Sequence, residues 1–203
     1  MGCRLSEDLI AAAVSFHGHW CPGLAIGIRA AEIARSEVGC AGDEDVVAVV
    51  ETDMCGVDAI QYLTGCTFGK GNLIHIDHGK NVFTFHRRSD GKAVRVVTRS
   101  TAMGESHTAL QELRRRSSSK TLTTETEEQV NRLREQISQH IMESPLEKLF
   151  DLQQPKIPAP QRARILESLA CDGCGENVME TRCRLLKGRR LCIPCFEAAL
   201  SSE

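Results

Sequence analysis

The spacing of apolar residues along the first hundred positions changes from helical to extended and back again. Ser6 suits a helix N-cap, and the apolar stripe that follows it predicts the first of three helices. The continuous β-branched run Val46–Val50 lies between the second helix and the third and predicts a buried strand. The three predicted helices span about residues 6–16, 24–38 and 56–63.

Three further extended segments complete a small predicted sheet. The last two are joined by Ser89-Asp90-Gly91, a hairpin signal. His86 lies beside two arginines on the middle segment, and we expect its side chain to face water. The segments span about residues 72–76, 81–87 and 92–99, and with the early helices they predict an α+β fold in which helices flank a mixed sheet.

A helical pattern extends from Glu105 to about Leu152, with breaks near Ser117–Ser119 and at Pro145. Amphipathic helices over 124–152 can bury a face against a second copy of the chain, so we expect a homodimer. The apolar residues of that face are Val130, Leu133, Ile137 and Ile141.

A proline-rich segment then divides the chain. Its composition is polar with three prolines, which cannot continue a helix. The sequence therefore predicts a body at 1–152, a linker and lead-in at 153–168, and a small cysteine-rich module at 169–203.

The cysteine-rich module carries the most specific motif. Cys171 and Cys174 form one Cys-x-x-Cys pair, and Cys192 and Cys195 form a second pair after seventeen intervening residues. This spacing is typical of a structural zinc site, in which two tight turns present four thiolates to one tetrahedral Zn²⁺. Two redox pairs or unrelated buried thiols are the alternatives.

A second group of candidate ligands lies between the first two helices. His17, His19 and Cys21 occupy alternate positions just before Pro22, a residue favoured at the first position of a helix. We therefore expect Cys21 near a helix N-cap, where backbone N–H groups and the helix dipole lower the pKa of a thiol. The alternative is a helix junction with a buried thiol and two hydrogen-bonded histidines.

Similar residues follow the strand Val46–Val50: Asp53 and Cys55 precede a helix, and Cys66 follows it. Ligands in α/β sheets gather at the ends of strands where helices begin. If the two loops meet, they bring together nitrogen and sulfur ligands from His17, His19, Cys21 and Cys55. That set suits Zn²⁺ or another transition metal; three ligands with an open position would indicate a catalytic site, and four a structural one.

Composition narrows the compartment and the partners. The chain has 203 residues and ten cysteines, and its N-terminus lacks an export signal, so we expect a reducing cytoplasm. No apolar run approaches about 18 residues, so no membrane span is expected. A net charge of −2 argues against a general nucleic-acid binder.

The body resembles the FmdE family, which is named for its association with formylmethanofuran dehydrogenase. The resemblance rests on Phe16–Gly27, Glu51–Gln61 and Thr64–Leu73, specific motifs that in this order cover most of residues 6–100. The tail, with its two cysteine pairs and Arg182, resembles the DksA/TraR-like treble-clef finger that some family members append. The resemblance implies an α+β body, loosely thioredoxin-like, followed by a small treble-clef zinc finger.

The resemblance also implies a function. It places the four body ligands around a metal, with Asp53 and Cys66 close by as candidate catalytic residues. We expect Zn²⁺ in the finger and Zn²⁺ or another transition metal in the body. The role would be accessory or enzymatic, linked to formylmethanofuran dehydrogenase and one-carbon metabolism, with molybdenum or tungsten enzyme subunits as partners. If the site is catalytic, the metal would activate a water or a substrate thiolate, with Asp53 as the base.

Two other classes of function stay open. The basic segment Arg182–Arg190 of the finger would contact nucleic acid or a polymerase-like partner if the chain were a regulatory protein. Alternatively, Cys21, Cys55 and Cys66 would carry out thiol–disulfide chemistry, although the body has no Cys-x-x-Cys pair.

Overall fold

A computed structural model of the chain describes residues 2–41, 44–117 and 124–201, which fall into two units, Met1–Arg162 and Ala163–Glu203. The predicted break near Ser117–Ser119 lies partly outside these residues. None of the helices described has the length and apolar character that crossing a bilayer requires.

Two helices open the first unit, and the second of them is its central element. Helix α1 spans Glu7–His17, with Ser6 as its N-cap, and α2 spans Pro22–Glu37. Every residue of α2 from Leu24 to Ala34 is buried, because other elements of the body pack around it. Helix α2 is therefore the frame on which the first loop of candidate ligands is mounted.

A five-stranded sheet packs against α2, with strands in the order β2-β1-β3-β4-β5. Strands β1 and β2 are parallel, and the other neighbours are antiparallel, so the sheet is mixed, as predicted. Val49 of β1, for example, pairs with Ile74 on one side and Thr84 on the other. The strands span Val46–Val50 (β1), Leu73–His75 (β2), Val82–Arg87 (β3), Ala93–Thr98 (β4) and Phe150–Gln153 (β5).

Four more helices complete the unit: α3 at Gly56–Thr64, α4 at Glu105–Ser117, α5 at Thr124–Glu143 and α6 at Leu146–Leu149. The apolar stripe of α5 is used within the chain. Val130, Ile137 and Ile141 join the core, and α5 packs on α2 and α4. The stripe that suggested a homodimer is therefore already covered, so it no longer argues for a second copy.

Two local predictions are wrong. The helical pattern was expected to continue to about Leu152, yet Phe150–Gln153 is a strand, because it pairs with the otherwise free edge of β4. His86 was expected to face water, but it is only 5% exposed, because β3 lies inside the sheet and is covered on both faces. Burial lowers the pKa of His86, and the nearby charge of Arg88 adds to this effect.

The second unit has the layout of a treble-clef finger. A hairpin of β6 (Ser168–Ala170) and β7 (Asn177–Met179) carries the first cysteine pair in its turn. A 3₁₀ turn and a second hairpin of β8 (Arg184–Leu186) and β9 (Arg189–Leu191) follow. The last cysteine pair lies at the start of α7, Ile193–Leu200, with Cys192 as its N-cap.

Candidate metal centre

The first loop of candidate ligands joins α1 to α2. His17 is the last residue of α1, and Cys21 is the N-cap of α2, where its Sγ accepts a hydrogen bond from the Leu24 N–H at 3.4 Å. The N-cap position predicted for Cys21 is confirmed. Nε2 of His17 lies 3.8 Å from Sγ of Cys21, and the His17 and His19 rings stack with centroids 4.4 Å apart.

Two glycines on α2 bring the second loop to the first. A Cβ at position 27 would lie 2.2 Å from the Gly56 carbonyl oxygen, so only glycine allows the backbones of α2 and α3 to approach this closely. One turn earlier, a Cβ at Gly23 would lie 3.2 Å from Cβ of Cys55. This contact between the helices places Cys55, at the start of α3, beside Cys21.

The two loops together form a candidate metal centre. One ligand atom from each of its four residues lies within 4.8 Å of all the others: His17, His19, Cys21 and Cys55. Four donors around a Zn²⁺ ion, with bonds of about 2.0–2.3 Å, lie roughly 3.3–3.8 Å apart, so small side-chain movements would close the shell. Burial of the Cys55 thiol raises its pKa, as does the adjacent Cys21, and a bound cation would reverse both effects. The donor set and its geometry therefore fit a transition metal.

Asp58 belongs to this centre although the sequence did not single it out. Its Oδ2 lies 2.7 Å from Nδ1 of His17, which directs Nε2 of the imidazole towards Cys21. Gln61, one turn further along α3, donates to Oδ1 of Asp58 at 3.3 Å. A carboxylate on the second nitrogen of a metal-ligating histidine fixes its tautomer and makes it a better ligand. Its available signal was its position three residues after Cys55, in the first turn of α3.

The structure places the two candidate catalytic residues differently. Asp53 is exposed and lines a pocket of about 470 Å³ together with His17, Cys55 and Asp58. Cys66 is fully buried, and its Sγ lies 3.5 Å from the carbonyl oxygen of Val46, the first residue of β1. Cys55 follows the opposite end of that strand, so the structure does not bring Cys66 to the centre. Burial raises the pKa of the Cys66 thiol, as expected for an unreactive one.

Glu51 anchors the chain between β1 and the Cys55 loop. Its carboxylate accepts from Arg95 on β4 at 2.8 Å and lies 3.0 Å from Nδ1 of His78. Burial alone would raise the pKa of Glu51, but these two partners outweigh it and hold the pKa below its ordinary value. The loop that presents Cys55 therefore starts from a fixed carboxylate.

In the second unit the four cysteines of the predicted zinc site come together. Their sulfurs lie within 4.8 Å of one another, and those of Cys174 and Cys192 are 3.9 Å apart, close to the roughly 3.8 Å expected around Zn²⁺. Backbone N–H groups, including that of Cys192 at 3.2 Å, hold the pKa of Cys171 at about 6. The neighbouring thiols of Cys192 and Cys174 raise the pKa of Cys195 to about 12, a crowding of negative charge that a cation would relieve.

Comparison with protein families gives two matches. A model described as "FmdE, Molybdenum formylmethanofuran dehydrogenase operon" matches residues 16–151. A model described as "Prokaryotic dksA/traR C4-type zinc finger" matches residues 164–199. The two matches cover the units that hold the two clusters.

A curated relative and a solved structure are also similar to the chain. A "Probable S-adenosyl-L-methionine-binding protein" of Archaeoglobus fulgidus is 33% identical over 195 residues, 92% of this chain and 52% of the relative. The chain thus spans about half the length of that protein. The crystal structure of an FmdE-like protein of tungsten formylmethanofuran dehydrogenase, from Syntrophus aciditrophicus, has a TM-score of 0.60 at 24% identity. That match covers 95% of this chain and 92% of the other, and it shows a shared fold.

Proposed function

Because the chain belongs to the FmdE family and carries a C4-type zinc finger in its tail, we propose that its body binds a transition metal through the four residues His17, His19, Cys21 and Cys55. The observation that carries the proposal is the arrangement of these residues. Four nitrogen and sulfur donors from two separate loops lie within 4.8 Å of one another, and Asp58 orients one of them. A helix junction that served packing alone would not need that carboxylate.

The surroundings of the four ligands suggest a site that can open. His19 is exposed, whereas the other three ligands are half-buried and fixed at helix ends, so His19 is the ligand that an incoming molecule would displace most easily. A Zn²⁺ ion held there would supply Lewis-acid chemistry to an oxygen or sulfur group. Asp53 lies in the adjoining pocket with an exposed carboxylate, which can take up a proton from such a group.

Titration with Co²⁺ tests the ligand set, because tetrahedral cobalt with thiolate ligands absorbs strongly in the visible range. The full-length protein is first given one equivalent of Zn²⁺ to fill the finger. We expect the wild type then to bind one Co²⁺ in the body, and Cys21→Ser and Cys55→Ser to lose its thiolate absorption. Cys66→Ser is the matched control, since Cys66 is a body cysteine distant from the centre. Unchanged spectra in both ligand variants would refute the ligand set.

We also propose an accessory or enzymatic role linked to formylmethanofuran dehydrogenase and one-carbon metabolism, in the cytoplasm. The family match, named for the molybdenum enzyme's operon, supports the link. Co-purification of the tagged chain with molybdenum or tungsten enzyme subunits tests it, and the same preparation shows whether the chain is a homodimer. Recovery of the chain free of such subunits, from cells that express them, would count against the link.

Binding of S-adenosyl-L-methionine is a second candidate function. Its support is the 33% identity to the Archaeoglobus fulgidus protein, whose name includes that ligand. Because this chain spans about half of that protein, the residues that bind the ligand there need not lie in the matched half. Equilibrium dialysis of the full-length chain with radiolabelled S-adenosyl-L-methionine tests it directly; saturable binding near one per chain would support this function, and none would exclude it.

A further inference from the structure

The four candidate ligands border a second cavity, on the side away from Asp53. Its volume is about 640 Å³, within the range of pockets that hold small organic ligands. His19, Cys21 and Cys55 form one part of its wall. A molecule bound in this cavity would therefore lie directly against the metal centre.

Another part of the wall is cationic. Arg114 of α4 and Arg134 of α5 both line the cavity, so two separate helices direct a guanidinium group to the same space. Neither guanidinium makes an ion pair with any residue in the described part of the chain. Glu135 also lines the cavity, so the two arginines leave an excess of positive charge. Unpaired guanidinium groups favour a planar or tetrahedral anion that accepts two hydrogen bonds from each.

The remaining wall is largely apolar. Trp20, Met54, Met103 and Leu110 line it; Leu110 is buried, and Trp20 is 37% exposed. An indole and two thioethers form an adaptable surface for a hydrocarbon chain. The cavity thus combines an apolar surface, a pair of cations and the edge of the metal centre.

We propose that this cavity binds a small organic anion, a carboxylate or a phosphate on an apolar chain, with its charged end on Arg114 and Arg134. This inference deepens the proposed function, on which it rests for the role of the ligand as a substrate at the metal. The apolar chain covers Trp20 and extends towards Cys21 and Cys55. Recognition of the anion itself depends on the arginines and not on the metal.

Trp20 provides the readout, because it is the one tryptophan of the chain and lies in the cavity wall. The full-length protein is titrated with octanoate, n-octyl phosphate and neutral 1-octanol while tryptophan emission is recorded. We expect a saturable shift to shorter wavelength with at least one anion, and weaker binding of 1-octanol. The tighter of the two anions identifies the head group.

Arg114→Gln and Arg134→Gln should each weaken binding of that anion about tenfold, since each removes a charge-assisted contact. Binding of 1-octanol should not change. Arg116→Gln is the matched control: it removes the same charge from α4, but Arg116 pairs with Glu112 and does not line the cavity. Circular dichroism of each variant verifies folding, which substitution of these exposed side chains should preserve.

Three results would overturn the inference: no saturable shift with either anion, equal affinity for 1-octanol, or unchanged anion affinity in the double arginine variant. Metal content is measured on the same samples. Anion binding with no metal in the body would support the cavity and refute the metal proposal, whereas metal in the body without anion binding would refute the cavity alone.

Discussion

Replacement of Asp58 tests the metal centre most selectively, because Asp58 touches a ligand without being one. Its Oδ2 lies 2.7 Å from Nδ1 of His17, and the His17 side chain is only 9% exposed. Asp58→Asn keeps an oxygen that can accept from Nδ1–H but removes the negative charge. Asp58→Ala removes both the charge and the contact that orients the imidazole.

The size of the effect follows from exposure. Loss of a carboxylate behind a metal-ligating histidine typically costs 10- to 100-fold in metal affinity. Asp58 is 38% exposed, so water can replace part of its contact. We therefore expect about a tenfold loss for Asp58→Ala, about 1.4 kcal/mol of binding free energy, and a smaller loss for Asp58→Asn.

The assay is competition for Co²⁺ between the body and a chelator of known affinity, in full-length protein whose finger already holds Zn²⁺. Asp53→Asn is the control, since it removes a carboxylate from the same pocket that makes no described hydrogen bond to the four ligands. We expect its affinity to stay within about twofold of the wild type. If Asp58→Ala also stays within twofold, or if Asp53→Asn loses as much, then His17 is not held for a metal by Asp58.

Two further predictions concern the frame of the site. Gly27→Ala should destabilise the fold by at least about 1–3 kcal/mol and weaken metal binding, because its Cβ would lie 2.2 Å from the Gly56 carbonyl; urea unfolding would show this, and Gly69→Ala, whose Cβ meets nothing within 4 Å, should be nearly neutral. Glu51→Gln should lower stability above about pH 4.5, the ordinary pKa of the group, and the difference from the wild type should vanish as pH falls through the lower pKa of folded Glu51; a difference that persists in acid would contradict the role of the Arg95 partnership.

The sequence predicted the helices and strands before residue 100 because each has its own periodicity and end signals. It also predicted which cysteines and histidines would meet, since both loops precede helix starts. Phe150–Gln153 was missed because its strand state depends on an edge provided by distant β4. His86 was misjudged because its charged neighbours say nothing of the layers that cover β3.

Within the site, residue type was readable and distance was not. Cys66 shares the chemistry of Cys55, and only the fold shows that the two lie at opposite ends of β1. Asp58 carries no motif; its role becomes visible when α1 brings His17 against the first turn of α3. The contact between Gly27 and Gly56 is equally invisible in one dimension, although it sets the distance between the loops.

The central claim is that one chain holds two metal ions at independent centres. The most direct measurement is metal per chain, by elemental analysis after anaerobic purification, for the full-length wild type and for a Cys21→Ser/Cys55→Ser double variant. The account predicts about two metals in the wild type and about one in the variant, whose finger ligands are intact. One metal in both proteins would contradict it, since the histidine–cysteine cluster would then hold none.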